Sequence, residues 1–242
     1  MPSLIKSSFT HKSIKMKNNL KKTGILFLLV FLGPAVLMAI KPFEGVITYN
    51  ITYPDSKFTE SQLKMFPKVL TVEVKGMKSR TELNTGMGNQ ISINDCSEKT
   101  VINLIDMMGQ KFAIKKTTQD IEKEIAKEPA AKVTVTAETK MIAGYSCKKA
   151  IVTTDNDGEK TTYEVYFTSE IGGKGANFDN PLYKDIDGVM MEFLRKTPQF
   201  TMKFAASAVE KKAVAAKDFE IPEDYKLTTE EELKTKFGGG GE

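Results

Sequence analysis

The stretch "FEGVITYNITY", residues 43–53, alternates strictly: Gly45, Ile47, Tyr49, Ile51 and Tyr53 fall on one side, and Val46, Thr48, Asn50 and Thr52 on the other. A period of two belongs to a half-buried β-strand and is incompatible with a helix, whose faces repeat every 3.6 residues. A half-buried strand of this length needs a hydrogen-bonding neighbour, so it commits the surrounding chain to a sheet.

The chain downstream supplies such neighbours. "KVLTVEVKGMKSRTELNTGMGNQISINDCSEKTVINLID", residues 68–106, holds short alternating runs separated by turn residues at Lys75-Gly76, Asn84 to Asn89 and Asp95 to Lys99. Three or four hairpin-connected strands follow. Gly86-Met87-Gly88 is no phosphate loop, because alternating "QISIND" follows where a helix N-terminus is required. From Thr117 the period changes: a threonine can cap a helix, Ile121 and Ile125 give a narrow apolar edge, and Pro129 marks its end.

Strands then return. "SCKKAIVTT" and "KTTYEVYFTSEI" flank the turn "DNDGEK" as a hairpin, and Asp155 and Asp157 lack the glycine and glutamate spacing of a calcium loop. "NFDNPLYKDIDG" predicts a loop with one helical turn, followed by a strand from Val189 and another through "QFTMKF". A capped helix is predicted near Thr228 or Thr229, ahead of a Gly-rich tail, residues 238–242. About ten strands, mostly in consecutive hairpins, predict a mainly β fold. A sheet of that width must curl or close, so we expect a strongly curved antiparallel sheet or open half-barrel, with two or three short helices on the concave side.

The N-terminus sets the compartment. Lysines 17, 21 and 22 precede an uncharged run from Thr23 to Ile40, and Ala39 offers a cleavage site. That is the pattern of an export signal, with Met16 as the alternative start. The run approaches the length of a membrane span, but Gly33-Pro34 interrupts it, so residues 1–39 read as a cleaved signal peptide and an uncleaved membrane anchor is the alternative. The expected location is the periplasm, with a single domain over residues 40–237. Removing the leader's six lysines from the 35 basic residues leaves 29 against 31 acidic, and the formal charge moves from +4 to −2. The basic character belongs to the leader and gives no support for nucleic-acid binding.

The leader also contains His11, the one histidine. The remainder cannot build a Ser-His-Asp or Cys-His catalytic unit or a histidine-ligated zinc site, and two cysteines cannot complete a four-thiolate site. No cofactor is implied. Two carboxylates acting as acid and base remain conceivable for an enzyme, but none stands in a recognisable setting. Cys96 and Cys147 are an even count in an oxidising compartment, which permits one disulfide or two free thiols. Nine methionines follow Ala39. They either fill an irregular core or line an adaptable apolar site, for which Met107, Met108, Met190, Met191, Phe200, Met202 and Phe204 are the candidates. Adjacent methionines on a strand face opposite ways, so at most one of each pair can line a given cavity.

"IAGYSCKKAIV", "YEVYFTSEIG", "DGVMMEF" and "FEIPEDYK" together resemble exported bacterial proteins of the GLPGLI family and the related domain of unknown function 4412. Asp187 stands where the naming hexapeptide of the first family carries proline, which favours the second. The resemblance implies an architecture similar to that of periplasmic lipoprotein carriers and supplies no catalytic residue. The resulting expectation is a monomeric, non-enzymatic exported protein that binds or carries an apolar ligand, a lipid or a lipoprotein acyl chain, and meets the membrane only transiently. The alternative is an envelope interaction or structural protein that docks on another envelope protein and has no small-molecule ligand.

Overall fold

A computed structural model describes residues 42–85, 88–107 and 109–237. The leader, the Gly-rich tail and Met108 lie outside the described residues. Among the described residues twelve strands form one sheet: β1 (Glu44–Thr52), β2 (Val69–Lys75), β3 (Lys78–Thr85), β4 (Gly88–Asp95), β5 (Thr100–Met107), β6 (Gln110–Lys116), β7 (Ala131–Ile142), β8 (Tyr145–Asn156), β9 (Glu159–Thr168), β10 (Val189–Lys196), β11 (Thr201–Lys211) and β12 (Lys226–Thr228). Three helices accompany them, α1 (Glu60–Leu63), α2 (Thr118–Ile125) and α3 (Glu230–Phe237). The chain is mainly β, as its alternation predicts.

Strand order is β12-β6-β5-β4-β3-β2-β1-β11-β10-β9-β8-β7. Two antiparallel meanders, β1 to β6 and β7 to β11, meet where β1 pairs with β11. The sheet is not closed, and its ends are β7 and the three-residue β12, which runs parallel to β6. Two hairpin turns take left-handed backbone, Ala143-Gly144 (φ 47° and 86°) and Asp157-Gly158 (φ 51° and 92°), and glycine and aspartate suit it while Ala143 adopts it at a steric cost.

Curvature follows from what the strands jointly line. Asn103 and Ile105 of β5 and Thr154 and Asn156 of β8 border the same cavity. Eight strand spacings separate β5 from β8, which in a flat sheet is roughly 38 Å. Only a strongly curled sheet brings both to one space.

Two connections cover the sheet. The long link between β9 and β10 folds onto the inner face of β8–β10 as a series of turns, among them Asn180 N–H to Asn177 O, Tyr183 N–H to Asn180 O and Ile186 N–H to Tyr183 O. Tyr183 and Ile186 are buried against Ala150, Val152, Val165 and Phe167. The buried Asn177 amide donates to the carbonyls of Ile186 (2.8 Å) and Gly188 (3.0 Å), and the Tyr183 hydroxyl donates to Leu194 O (2.7 Å).

The second cover is the C-terminal segment after β11. It crosses the outer face, where Val214 and Phe219 pack on Ile93, Leu104 and Ala113, with Ile221 and Tyr225 beside them. This strap is latched at its start: Glu44 Oε1 accepts from Val214 N–H (2.9 Å) and from Lys75 Nζ (2.8 Å), which also donates to Val214 O (2.6 Å). Near its end Lys111 Nζ meets Asp224 Oδ2 at 2.7 Å and lies over the Tyr225 ring. "FEIPEDYK" is thus part of a strap. α2 and α3 sit beside β6 and β12 at one end of the sheet: Thr117 and Asp120 cap α2 reciprocally, Ile121 is buried, and Lys116 ties α2 to α3 through Glu124 and Glu230, each at 2.7 Å.

Gly188 closes the β9–β10 link at φ 119°, and a Cβ there would collide with the Thr168 carbonyl oxygen. Gly188→Ala is expected to lose more than about 2 kcal/mol, combining a left-handed backbone with overpacking. Urea unfolding monitored by tyrosine fluorescence checks this; an unchanged midpoint would show that the link relaxes freely.

Candidate functional site

The curled sheet and the β9–β10 link enclose an open cavity of ≈ 1220 Å³. This slightly exceeds the usual range for small-molecule pockets, about 300–1,000 Å³. Its walls differ in character. Around the β1–β11 seam they are apolar: Tyr49, Leu70, Val72, Phe193 and Phe204 line it, and the Phe193 and Phe204 rings stack at 4.8 Å. Across β3, β4 and β5 the wall is mostly polar, with Ser79, Thr81, Gln90, Ser92, Asn94 and Asn103, and Leu83 and Ile105 are among its apolar members.

The register explains this change. Ile47, Val72, Thr81, Ser92, Asn103 and Ile114 stand abreast on six adjacent strands. In β4 and β5 the opposite side chains, Ile91, Ile93, Ile102 and Leu104, belong to the core beneath the strap. The outer face of these two strands is thus apolar and covered, while their inner face brings Gln90, Ser92, Asn94 and Asn103 toward the cavity beside Ile105.

Few ionisable groups reach the polar wall. Asp179, on the β9–β10 link, accepts from Asn94 Nδ2 at 2.9 Å, while Ser92 Oγ donates to Asn94 Oδ1 at 3.0 Å. Burial raises the Asp179 carboxyl above its ordinary range despite the Asn94 hydrogen bond. At the rim Glu230 is held low by Lys116. The Tyr49 hydroxyl donates to Met190 O at 3.0 Å, and burial pushes its pKa up, so it remains a neutral donor. Among the described residues no three His, Cys, Asp or Glu side chains converge as a metal-ligand group. No helix among them is long and apolar enough to cross a membrane.

The residues expected to line an apolar site separate. Met190 and Phe204 border the cavity. Met191 and Met202 instead belong to the buried core, Met191 with no exposure at all. Met190 and Met191 therefore face apart, as strand geometry requires, with an irregularity in the β9–β10 pairing at that point. Phe200 joins Tyr53, Phe58 and Phe66 in an aromatic cluster. The Met107 side chain and all of Met108 lie outside the described residues. The polar wall was missed because the alternation of "QISIND" and "VINLID" fixes two faces without saying which one turns inward.

Cys96 and Cys147 are both free thiols. Cys96 lies in the β4–β5 turn, its Sγ 4.0 Å from Ala176 O. Cys147 is fully buried, although alternation from Ala150 and Val152 would leave it outside. It is buried on the face opposite Ala150 and Val152, in the core that holds Ile142 and Tyr166. The disulfide that an oxidising compartment permits is not formed.

Neither a protein-family model nor a curated protein matches the chain.

Burial, with Asp179 and Asp95 nearby, pushes the Cys96 thiol up to about 11. The thiolate is the reactive form, so native alkylation of Cys96 should be slow at neutral pH and accelerate nearly tenfold per pH unit toward that value. Mass spectrometry of alkylated protein should find two modified cysteines after denaturation and Cys96 first under native conditions. A cystine-linked peptide would contradict the free-thiol arrangement.

Proposed function

We propose that the chain is an exported, non-enzymatic periplasmic protein that binds and carries a lipid or a lipoprotein acyl chain. The observation that carries this reading is the open cavity of ≈ 1220 Å³ beneath a curled sheet, with Leu70, Val72, Phe193 and Phe204 grouped along one wall. An aqueous cavity with such a wall gains by burying hydrocarbon, at about 25 cal/mol per Å² of apolar surface removed from water. The leader pattern supports export through a cleaved signal peptide, and the resemblance to the domain of unknown function 4412 supports an envelope role.

An envelope interaction protein is the second reading, favoured by one observation. β7 forms a free twelve-residue edge, with Val135 and Met141 exposed. An unpaired edge can accept a partner's strand, but the register break in β7 and Lys132 and Lys140 along it are devices that blunt such edges.

Native mass spectrometry of protein purified from its own cells should show a lipid-sized adduct that organic extraction releases. Val72→Trp, which fills the apolar wall, should lower its occupancy severalfold while the fold persists. Protein that carries no adduct and binds no added lipid would remove the carrier reading, and a reproducible protein crosslink through β7 would favour the second.

A further inference from the structure

We propose that the cavity selects an amphiphile with an uncharged head: the apolar arm lies along Leu70, Phe193 and Phe204, and a hydroxyl- or amide-bearing head bonds to Thr81, Ser92 and Asn103. This rests on the carrier reading and narrows it to a ligand class.

Three observations carry it. First, Thr81, Ser92 and Asn103 stand directly abreast on neighbouring strands and line the cavity. They offer two hydroxyls and an amide within one short row. Second, among the described residues no protein group bonds the Thr81 hydroxyl or the Asn103 amide, and neither is a sealed, unsatisfied atom. Their hydrogen-bonding capacity is open to the cavity. Third, the apolar side of β4 and β5, which carry Ser92 and Asn103, is already used beneath the strap, so the polarity of these two positions is a property of the cavity wall and not an exposed remainder.

The charges nearby argue for a neutral head. Asn94, next to the row, holds the Asp179 carboxyl, and Lys78 is paired with Asp95 at 3.1 Å. An anionic head at the row would face a carboxyl group with no unpaired cation beside it. Arg195 and Lys196 also border the cavity, but Arg195 pairs with Met202, one position past the Leu194–Lys203 and Thr52–Lys203 pairs. That rung lies about six residues from Ile47, roughly 20 Å along the strands. Lys196 Nζ is moreover seated over the Tyr163 ring at 4.8 Å.

Isothermal titration calorimetry of the purified protein tests the assignment with four probes sharing one twelve-carbon arm, each below its micelle concentration. These are monolaurin, N-dodecanoyl glycinamide, dodecyl phosphate and dodecyltrimethylammonium. The neutral probes are expected to bind at least about tenfold tighter than the charged ones, the effect of one or two hydrogen bonds that a mismatched head forfeits. The ratio of the two neutral probes separates a hydroxyl head from an amide head. Thr81→Val with Asn103→Leu should remove that tenfold preference and leave the charged probes unchanged. Should the double variant fail to fold, the ranking on the unmodified protein and the single, nearly isosteric Thr81→Val still decide. A charged probe binding as tightly as the neutral ones overturns the head-group assignment but leaves the carrier reading. So does a folded double variant that keeps its preference. No binding of any probe overturns both.

Discussion

The rest of the structure depends on the antiparallel pairing of β1 with β11. β1 is hydrogen-bonded to β2 on one side and β11 on the other, and through that seam two meanders become one sheet. Ile47 is wholly buried there, and Gly45 admits no side chain because a Cβ would collide with the Glu210 carbonyl oxygen. A register shift between Thr48 and Tyr49 increases the local twist. The partners Ile47 and Val209 are separated by more than 160 positions along the chain, so the seam is a late, high-cost contact that local hairpins must wait for.

Curling this sheet creates an interior that its own side chains do not fill. Two connections decide how the space is used. The β9–β10 link packs Tyr183 and Ile186 onto one half of the inner face, while the strap covers the outer face of the other half with Val214 and Phe219. Burial on opposite faces of the two halves leaves Thr81, Ser92 and Asn103 facing open volume. A core collapsed on one face throughout would have required apolar residues in that row. The cavity is therefore a consequence of where hydrophobic surface is buried, and its polar wall follows from the strap.

The same arrangement separates apolar and polar recognition in space. Phe193 and Phe204 gather at the seam, and the hydroxyls and amide of Thr81, Ser92 and Asn103 stand three to five strands away from β11. For the proposed carrier, hydrocarbon must be held firmly but not permanently, and a mixed wall suits that need better than a uniformly apolar one. The free thiols take no part in such chemistry: with their pKa values raised by burial, Cys96 and Cys147 are inert residues, and Cys147 is a small core side chain at the start of a strand.

Local patterns in the sequence determined the elements. The alternation of residues 43–53, the Asp157-Gly158 turn, the Thr117 cap and the strand from Val189 are all present, because each depends on neighbours a few residues away. The mainly β class and the curved sheet were legible for the same reason: consecutive hairpins build antiparallel sheets, and wide sheets twist. α1 and β12 escaped because short elements carry little periodicity. Tertiary structure alone decided which face of β4 and β5 turns inward, that Met191 and Met202 enter the core while Met190 and Phe204 border the cavity, and that "FEIPEDYK" belongs to a strap. Alternation specifies two faces but carries no sign. The sign is set by what covers each face, and here both covers come from segments distant in the chain.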